Sequence, residues 1–498
     1  MRRLLVAPIA TALVLAGTGV AAHAAPAAPT PGAPGIGDSY FPDYGNGGYD
    51  VSHYDIRLKY TPATDKLTGT TTILATATQD LSRFNLDFLL DVSSIYVNNR
   101  PATYAREGDH ELIVTPARTV AEGGPMTVVV QYSGVPSTKV AEGFTAWIRT
   151  PDGAMAVGEP EIAWWWYPSN DHPRDKATFD VSVSVPDGVE AISNGTMPRP
   201  PVRETLGYTR WSWRSLKPQA TYLTFLTVGQ YDITTDSAAN GDTVYNAYSQ
   251  LLSPDFRDAA QASVERTAEI TDWESTVFGP WPFEARGGIV APPGTLGFAL
   301  ENQTRPNYAA SFFRRGSNTY VIAHENAHQW FGDSVSVADW QHIWLNEGFA
   351  SYAEWLWSEK NGEGTTQEIF DYLYATYPDD ASIWTTAPGD PGVPRMFGDA
   401  VYDRGAMTLH QLRLAVGDDN FFTILRTWTA DHRYGNGTTG EFVALAEKIS
   451  GQDLGALFQA WLFTPSKPVV PGATTTLARK AAPKSWAQIS RTHALLHE

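Results

Sequence analysis

The sequence contains no cysteine among its 498 residues. Disulfide bonds, cysteine nucleophiles and zinc sites built on thiolates are therefore excluded. Basic residues are scarce as well, since 36 Lys and Arg face 54 Asp and Glu, and the net charge is −18. Because the few basic side chains are scattered along the chain, we expect neither nucleic acid nor an anionic membrane as a partner. The hydrophobic share of 43% is sufficient for two domains with substantial cores.

Residues 1–24 are typical of a signal peptide. They have a basic start, a mostly apolar stretch from Leu4 to about Val20 and a small-x-small cleavage site at Ala22-His23-Ala24. The alternative is an uncleaved membrane anchor, which the short apolar run and its Pro8 disfavour. The C-terminus has no hydrophobic tail. We therefore expect a secreted, extracellular protein without a membrane anchor.

Hydrophobic periodicity divides the remaining sequence into four parts. Residues 25–44 are rich in Ala, Pro and Gly and predict a flexible lead-in. Apolar residues alternate with polar ones over much of 45–232, for example from Tyr54 to Tyr60, which predicts a β domain. Helical periodicity takes over in 233–470 and predicts a second domain. Residues 471–498 show little periodicity, so we expect a disordered tail.

The most informative motif is His324-Glu325-Asn326-Ala327-His328, which is followed nineteen residues later by Glu347. Positions four apart on a helix differ by about 40° in direction and about 6 Å in height, so both imidazoles project from one face. Two imidazoles and one carboxylate form a three-ligand zinc site that leaves a fourth position for water. Glu325 lies beside that water, where a general base is needed. We therefore predict one zinc ion per chain, bound by His324, His328 and Glu347.

The flanking residues predict that both parts of this motif lie on helices. Ser317 can cap the first helix and Gly332 can end it. A second helix from about Leu345 to Lys360 would carry Glu347 and stop at Asn361-Gly362. The alternative is a surface helix that carries two His by chance, and the spaced Glu347 argues against it.

These residues stand in an order that resembles the aminopeptidase N family of gluzincin zinc metallopeptidases. The segments that carry the resemblance are Pro168-Ser169-Asn170-Asp171-His172-Pro173, Gly297-Phe298-Ala299-Leu300-Glu301-Asn302, the zinc motif, Asn346-Glu347-Gly348 and Tyr402-Asp403-Arg404-Gly405-Ala406. The resemblance covers roughly residues 45–470. It implies an α+β fold, in which an N-terminal β-sandwich or saddle domain packs on a thermolysin-like catalytic domain, with zinc in the cleft between them.

The resemblance also implies roles for residues that the sequence alone does not single out. Glu301 and Glu159 would bind the free α-ammonium of the substrate, for which a carboxylate is the natural partner. The segment that includes Ala299 and Asn302 would contact the substrate next to Glu301. The hydroxyl of Tyr402 would stabilise the tetrahedral oxyanion.

The sequence departs from the family pattern at three points, and two of them, Phe298 and the expected lack of the C-terminal domain, bear on the size of the substrate. Phe298 stands where the family has a glycine, although Gly297 precedes it. Leu300 replaces a methionine, which is a mild change. The sequence ends about 150 residues after Glu347, so we expect it to lack the large C-terminal helical domain that closes the cleft in many relatives.

We therefore predict a secreted, monomeric zinc aminopeptidase that hydrolyses the N-terminal peptide bond of peptides with a free amine. One alternative is an endopeptidase of thermolysin type, which would use the same zinc site without the acidic anchor. A second alternative is a non-catalytic binding protein that keeps the fold, against which the intact zinc and catalytic residues argue. Hydrolysis of a lipid epoxide, as in one branch of the family, is a third alternative and fits poorly with a released protein.

Overall fold

The computed structural model describes residues 28–141, 143–470 and 481–496. These residues form a β-rich N-terminal part and a mainly helical part, which confirms the predicted α+β fold. The predicted signal peptide lies outside the described residues, so it stays a prediction.

Strands dominate the described chain up to Gly229. In chain order they are β1 (Thr30–Pro31), β2 (Tyr49–Thr61), β3 (Lys66–Ala77), β4 (Leu81–Asp87), β5 (Asp91–Val97), β6 (Arg100–Pro101), β7 (Thr103–Glu107), β8 (Glu111–Thr115), β9 (Pro125–Gly134), β10 (Trp147–Arg149), β11 (Ala154–Ala156), β12 (Ala177–Pro186), β13 (Glu190–Ile192), β14 (Val202–Glu204), β15 (Tyr208–Gln219) and β16 (Leu226–Gly229).

These strands form one large sheet and two smaller ones. The eight-stranded sheet has the order β14-β15-β12-β2-β3-β9-β5-β6, and the four-stranded sheets have the orders β1-β4-β8-β7 and β10-β11-β16-β13. The alternation predicted for β2 is confirmed, because Tyr54, Ile56 and Leu58 are buried while the residues between them are more exposed. One face of the large sheet therefore supplies the core of this domain.

The second part combines a five-stranded sheet with helices. Its strands are β17 (Tyr231–Ser237), β18 (Thr243–Ser249), β19 (Ala285–Val290), β20 (Ala299–Leu300), β21 (Asn307–Tyr308), β22 (Ser336–Val337) and β23 (Asn436–Gly437). Its helices are α1 (Pro254–Val264), α2 (Thr267–Phe278), α3 (Thr319–Ala327), α4 (Trp344–Asn361), α5 (Thr366–Thr376), α6 (Ser382–Thr385), α7 (Gly405–Val416), α8 (Asp418–Asp431), α9 (Thr439–Ser450), α10 (Gly455–Phe458) and α11 (Trp486–Leu496). Within the described ranges, none of these helices has both the length and the apolar composition needed to cross a membrane.

The sheet order β17-β18-β19-β21-β20 puts β20 at one edge of the second sheet. The helix start predicted at Ser253-Pro254 is confirmed, but strands β17 and β18 fall in the stretch after Tyr231 where helical periodicity is predicted, so that prediction is wrong for these residues. The reason is that β18 is buried on both faces after its first residue and therefore lacks the alternation of a half-exposed strand.

Helices α4 and α7 cross at two glycines. A Cβ added to Gly348 would lie 3.0 Å from the Cα of Gly405, and a Cβ added to Gly405 would lie 2.8 Å from the Cα of Gly348. A larger residue at either position would push the helices apart. This crossing places the turn that carries Tyr402 against α4, whose first turn carries Glu347.

The prediction of a flexible lead-in is wrong for residues 28–44. The Asp38 carboxylate is buried and contacts both domains, since it hydrogen-bonds with His172 Nε2 at 2.9 Å and accepts the backbone N–H of Trp340 at 2.8 Å. Tyr44 is buried as well. These few side-chain contacts outweigh the preference of Pro and Gly for open loops, and they tie the segment to the rest of the fold.

The prediction of a disordered tail is wrong for Trp486–Leu496, which form helix α11. Its buried residues Ile489, Thr492 and His493 lie three and four positions apart and therefore share one face. Two of the three are polar, and this is why the hydrophobic pattern in the sequence is weak. Helix α11 packs against α3. The rest of the predicted tail lies outside the described residues, apart from 481–485.

Candidate active site

Helix α3 carries the histidines of the zinc motif. Asn318 caps the helix with a side-chain oxygen that accepts two backbone N–H groups of the first turn, so the predicted cap Ser317 is one residue too early. The helix ends at Ala327, earlier than predicted, and His328 follows it directly. The rings of His324 and His328 still lie side by side, with centroids 5.0 Å apart.

Glu347 completes a cluster of three donors from the first turn of α4. Its Oε2 lies 3.5 Å from His324 Nε2 and 3.4 Å from His328 Nε2, and all three side chains are buried. Zinc bonds of about 2.0–2.2 Å at tetrahedral angles place donor atoms about 3.3–3.6 Å apart. The three residues therefore fit a zinc ion, and all of them line a cavity from which a fourth ligand can approach.

The histidines also set the charge of Glu347. Burial by itself would raise the pKa of this carboxyl group, but His328 and His324 outweigh burial and lower the pKa to about 2. Glu347 is therefore ionised at neutral pH, as a metal ligand must be.

A buried network supports His324 from behind. Glu354 Oε1 hydrogen-bonds with His324 Nδ1 at 2.7 Å and with His493 Nε2 at 2.8 Å. On its other side, His493 Nδ1 lies 3.0 Å from Asp403 Oδ1. Although burial opposes it, the two carboxylates raise the pKa of His493 well above its ordinary value. The network fixes the ring of His324 and leaves its Nε2 for the metal.

The sequence analysis identifies neither Glu354 nor His493. Glu354 lies seven residues after Glu347, two turns along the same face of α4, and this spacing is a signal that could have found it. His493 offers no such signal, because it reaches Glu354 from a helix 139 residues further along the chain.

Glu325 lies among the metal donors and a second carboxylate. Its carboxylate, that of Glu301 and a ring nitrogen of His328 lie within 4.8 Å of one another. Burial raises the pKa of Glu325 to about 8, although the two nearby imidazoles oppose this. A divalent cation at the neighbouring donors favours the ionised form, which is the form that accepts a proton.

The site opens into a cavity of about 240 Å³. Eight of the nine predicted site residues line it, and they are Glu159, Ala299, Glu301, His324, Glu325, His328, Glu347 and Tyr402. Asn302 is the exception, because its amide nitrogen donates to Leu223 O at 3.2 Å and its amide oxygen accepts from Asn307 at 2.8 Å. The lining is completed by the apolar residues Phe298, Leu300, Phe397 and Leu496.

Glu159 and Glu301 add two carboxyl groups to this cavity. Glu301 follows the edge strand β20 and accepts a hydrogen bond from the Tyr222 hydroxyl at 3.2 Å. Burial, followed by repulsion from Glu301 and Glu347, raises the pKa of Glu159 well above its ordinary value. In the described part of the chain, no Lys or Arg lines the cavity. A carboxylate pair in this setting fits a ligand that brings its own cation, such as an ammonium group.

Tyr402 lies in the π-helical turn Ala400–Arg404, directly before α7. Such turns often occur at functional sites. Its ring stacks on that of His324, with centroids 6.0 Å apart and 14° between the planes. Burial, followed by repulsion from Glu347 and Glu159, raises the pKa of its hydroxyl well above the ordinary value. The hydroxyl therefore keeps its proton and can donate a hydrogen bond at the cavity.

Comparisons with known proteins agree with this geometry. Residues 51–223 match the model of the peptidase M1 N-terminal domain, and residues 303–461 match the peptidase family M1 domain. Aminopeptidase M1 of Arabidopsis thaliana is 26% identical over 459 residues, which cover 84% of this chain and 50% of that protein. The chain thus spans about half the length of this curated relative.

Two solved structures are similar over nearly their whole length. The M1 zinc metallopeptidase from Deinococcus radiodurans is 29% identical with a TM-score of 0.78, and the match covers 88% of this chain and 99% of that chain. A mutant of that metallopeptidase bound to a Tyr-Ser-Ala substrate is 28% identical with a TM-score of 0.76 and the same coverage.

Proposed function

This chain belongs to peptidase family M1, and from that membership we propose that it is a zinc-dependent aminopeptidase, which removes the first residue of peptides with a free amine. The observation that carries the proposal is the cavity beside the zinc donors. It joins a three-donor metal site to two further carboxylates, Glu159 and Glu301, without a basic side chain from the described chain to neutralise them. The zinc ion would be one cation at this site, and the α-ammonium group of the substrate would be the second.

The residues divide the reaction between them. His324, His328 and Glu347 would hold the zinc ion, which supplies a Lewis acid for the scissile carbonyl and for water. The Glu325 carboxylate accepts a proton from the attacking water and returns it to the leaving amine. The Tyr402 hydroxyl donates a hydrogen bond to the oxygen that becomes negatively charged in the transition state.

Two carboxylates of the cavity determine which peptide bond is cleaved. Glu301 and Glu159 hold the α-ammonium, so the first peptide bond, rather than a later one, lies at the catalytic groups. The apolar side chains of Phe298, Phe397 and Leu496 surround the remaining space. The proposal also includes secretion, for which the composition of residues 1–24 is the support.

The test compares Glu301→Gln with blocked substrates. A charge-assisted hydrogen bond contributes about 1.5–3 kcal/mol, so its loss lowers kcat/KM by about 10–100-fold. We expect this loss for Glu301→Gln on free peptides, and a similar loss for the wild-type enzyme on N-acetylated peptides. The two decreases in kcat/KM should not add fully, because the substitution and the acetylation remove the same interaction.

The control for this test is Glu122→Gln, an exposed carboxylate of the N-terminal domain that should leave kcat/KM unchanged. Mass spectrometry should find sequential release of single residues. Internal cleavage of N-acetylated peptides at an undiminished rate would contradict the proposal and would make the protein an endopeptidase of thermolysin type.

A further inference from the structure

A second cluster of metal-binding side chains lies in the N-terminal domain. Asp87 ends strand β4 and Glu111 begins strand β8, and the two residues are directly paired in the antiparallel register. His110 precedes Glu111. All three residues are buried, with exposed fractions of 0%, 4% and 8% for Asp87, His110 and Glu111. None of them lines the cavity of the candidate active site.

The donor atoms of this cluster converge on one point. His110 Nε2 lies 3.6 Å from Asp87 Oδ1, 4.0 Å from Glu111 Oε1 and 3.2 Å from the backbone oxygen of Asp43. The corresponding distances between the donors of the active site are 3.4 and 3.5 Å. The ligand atoms of Asp87, His110 and Glu111 lie within 4.8 Å of one another, close enough to share one divalent ion, which would replace the hydrogen bond between His110 Nε2 and the backbone oxygen of Asp43.

The charges of the cluster are not balanced by the protein. Among the described residues, His110 is the only basic side chain within ion-pair distance of Asp87 or Glu111. Burial raises the pKa of Asp87 well above its ordinary value, and repulsion from Glu111 adds to the effect. Burial also raises the pKa of Glu111 to about 8. Burial and mutual repulsion disfavour the ionisation of both carboxyl groups. A cation between them would make the ionised form of both favourable.

Several buried oxygens at this point lack a hydrogen-bond donor. Asp87 Oδ1 and Glu111 Oε1 accept no hydrogen bond. The Asn46 side chain is fully buried and close enough to Asp87 to lower its pKa as a hydrogen-bond donor, but neither its Nδ2 nor its Oδ1 has a partner within 3.5 Å. An ion is one of the groups that can satisfy buried polar atoms of this kind.

The opposite sides of the same groups are held in place. Asp87 Oδ2 accepts the backbone N–H of Asp171 at 2.7 Å, and Glu111 Oε2 accepts from Asn85 Nδ2 at 2.8 Å. The His110 ring stacks on Trp164 with centroids 4.0 Å apart. Such outer contacts orient metal ligands, and here they leave Asp87 Oδ1 and Glu111 Oε1 to face the ion.

An ion can reach the cluster from solvent. A surface cleft of about 440 Å³ lies beside it, and Asp43 and Glu111 belong to both the cleft and the cluster. Arg83 also lines the cleft, but it forms no ion pair with Asp87 or Glu111 in the described structure.

We propose that Asp87, His110, Glu111 and the backbone oxygen of Asp43 form a second, structural site for a divalent transition-metal ion such as Zn²⁺ or Mn²⁺. The imidazole favours these ions over Ca²⁺ and Mg²⁺, which prefer sites made only of oxygens. None of these residues lines the cavity of the candidate active site, and the ion would join β4 and β8 to the loop that contains Asp43 and Asn46.

The test is the metal content of the full-length protein. A chelator first removes all metal from the protein, which is then loaded with Zn²⁺ or, in a separate sample, with Mn²⁺. Gel filtration removes the unbound ions, and elemental mass spectrometry measures the metal content per chain. We expect two ions per wild-type chain and one per chain of His328→Ala, which loses the catalytic ligand set. Glu111→Gln should also fall from two ions to one, because it removes one charged donor and keeps the shape of the side chain.

The matched control is Glu107→Gln, which removes the same charge from the residue paired with Glu111 on strand β7 and should keep two ions. If Glu111→Gln does not fold, His110→Gln takes its place, with the circular dichroism spectrum as the criterion of folding. One ion per wild-type chain with either metal would overturn the proposal. Two ions in a folded Glu111→Gln or His110→Gln protein would overturn it equally, because the second ion would then lie elsewhere.

Discussion

Replacing Glu354 by glutamine removes one negative charge from behind His324 and leaves the shape of the side chain nearly unchanged. Glu354 is fully buried, and one of its oxygens serves both His324, at 2.7 Å, and His493, at 2.8 Å. The amide oxygen of Gln can still accept these bonds. The substitution therefore tests the charge of the network rather than its packing.

The expected effect of Glu354→Gln follows from the bond to His324. A hydrogen bond to a charged group contributes about 1.5–3 kcal/mol, whereas one between neutral groups contributes about 0.5–1.5 kcal/mol. The difference of about 1–1.5 kcal/mol corresponds to about a tenfold change in binding. Losing the anion also makes His324 a weaker base, and changes of this kind lower metal affinity by about 10–100-fold. We expect the Kd for zinc to rise by about that factor.

A competition titration against a chelator of known affinity measures this Kd directly. The matched control is Glu359→Gln, which makes the same change five residues further along α4, where the side chain contacts Thr366 and Arg413 instead. The double variant with His493→Ala should lose less affinity than the two single losses combined, because both act through one network. An unchanged zinc Kd in Glu354→Gln would refute the reasoning that this network supports the metal ligand.

Three further substitutions test the catalytic groups and the contact between the domains. Glu325→Gln should keep zinc but lower turnover by about 100-fold or more, since it removes the general base; near-normal turnover would exclude that role. Tyr402→Phe should lower kcat by about 100-fold with little change in KM, because its hydroxyl acts on the transition state, and the opposite pattern would make it a binding residue. Lys176→Met should lower the free energy of unfolding by about 2–4 kcal/mol in urea titrations, since Lys176 Nζ donates to the backbone oxygens of Asp333, Ser334 and Gly435 at 2.7, 3.1 and 3.2 Å. An unchanged unfolding midpoint would show that solvent replaces these bonds.

The candidate zinc donors could be predicted because, on a helix, the spacing of two residues in the sequence determines the directions of their side chains. His324 and His328 share a face whenever that segment is helical, and Glu347 then needs only a second helix nearby. Glu301 and Tyr402 could be predicted only through the resemblance to a family, because a single carboxylate or phenol carries no spacing signal. Their positions depend on an edge strand and on a crossing of helices that no local pattern specifies.

The corrections for residues 28–44 and for helix α11 have a common physical cause. Asp38 and His493 look like ordinary polar residues of a loop and a tail, and each has partners more than 100 residues away in the chain. Composition and periodicity describe local preferences, so they cannot reveal a polar contact between distant segments. Such contacts decide the structure of 28–44 and of helix α11.

Helix α11 makes completion of the active site a late event in the synthesis of the chain. Ribosomes add about 5–20 residues per second, so His493 follows Glu347 by roughly 7–30 s. During that interval the nascent chain already contains all three zinc donors, but Glu354 lacks its second imidazole and the cavity lacks the wall formed by Leu496. We therefore expect the proposed peptidase activity to be complete only after helix α11 has left the ribosome and packed against the rest of the domain.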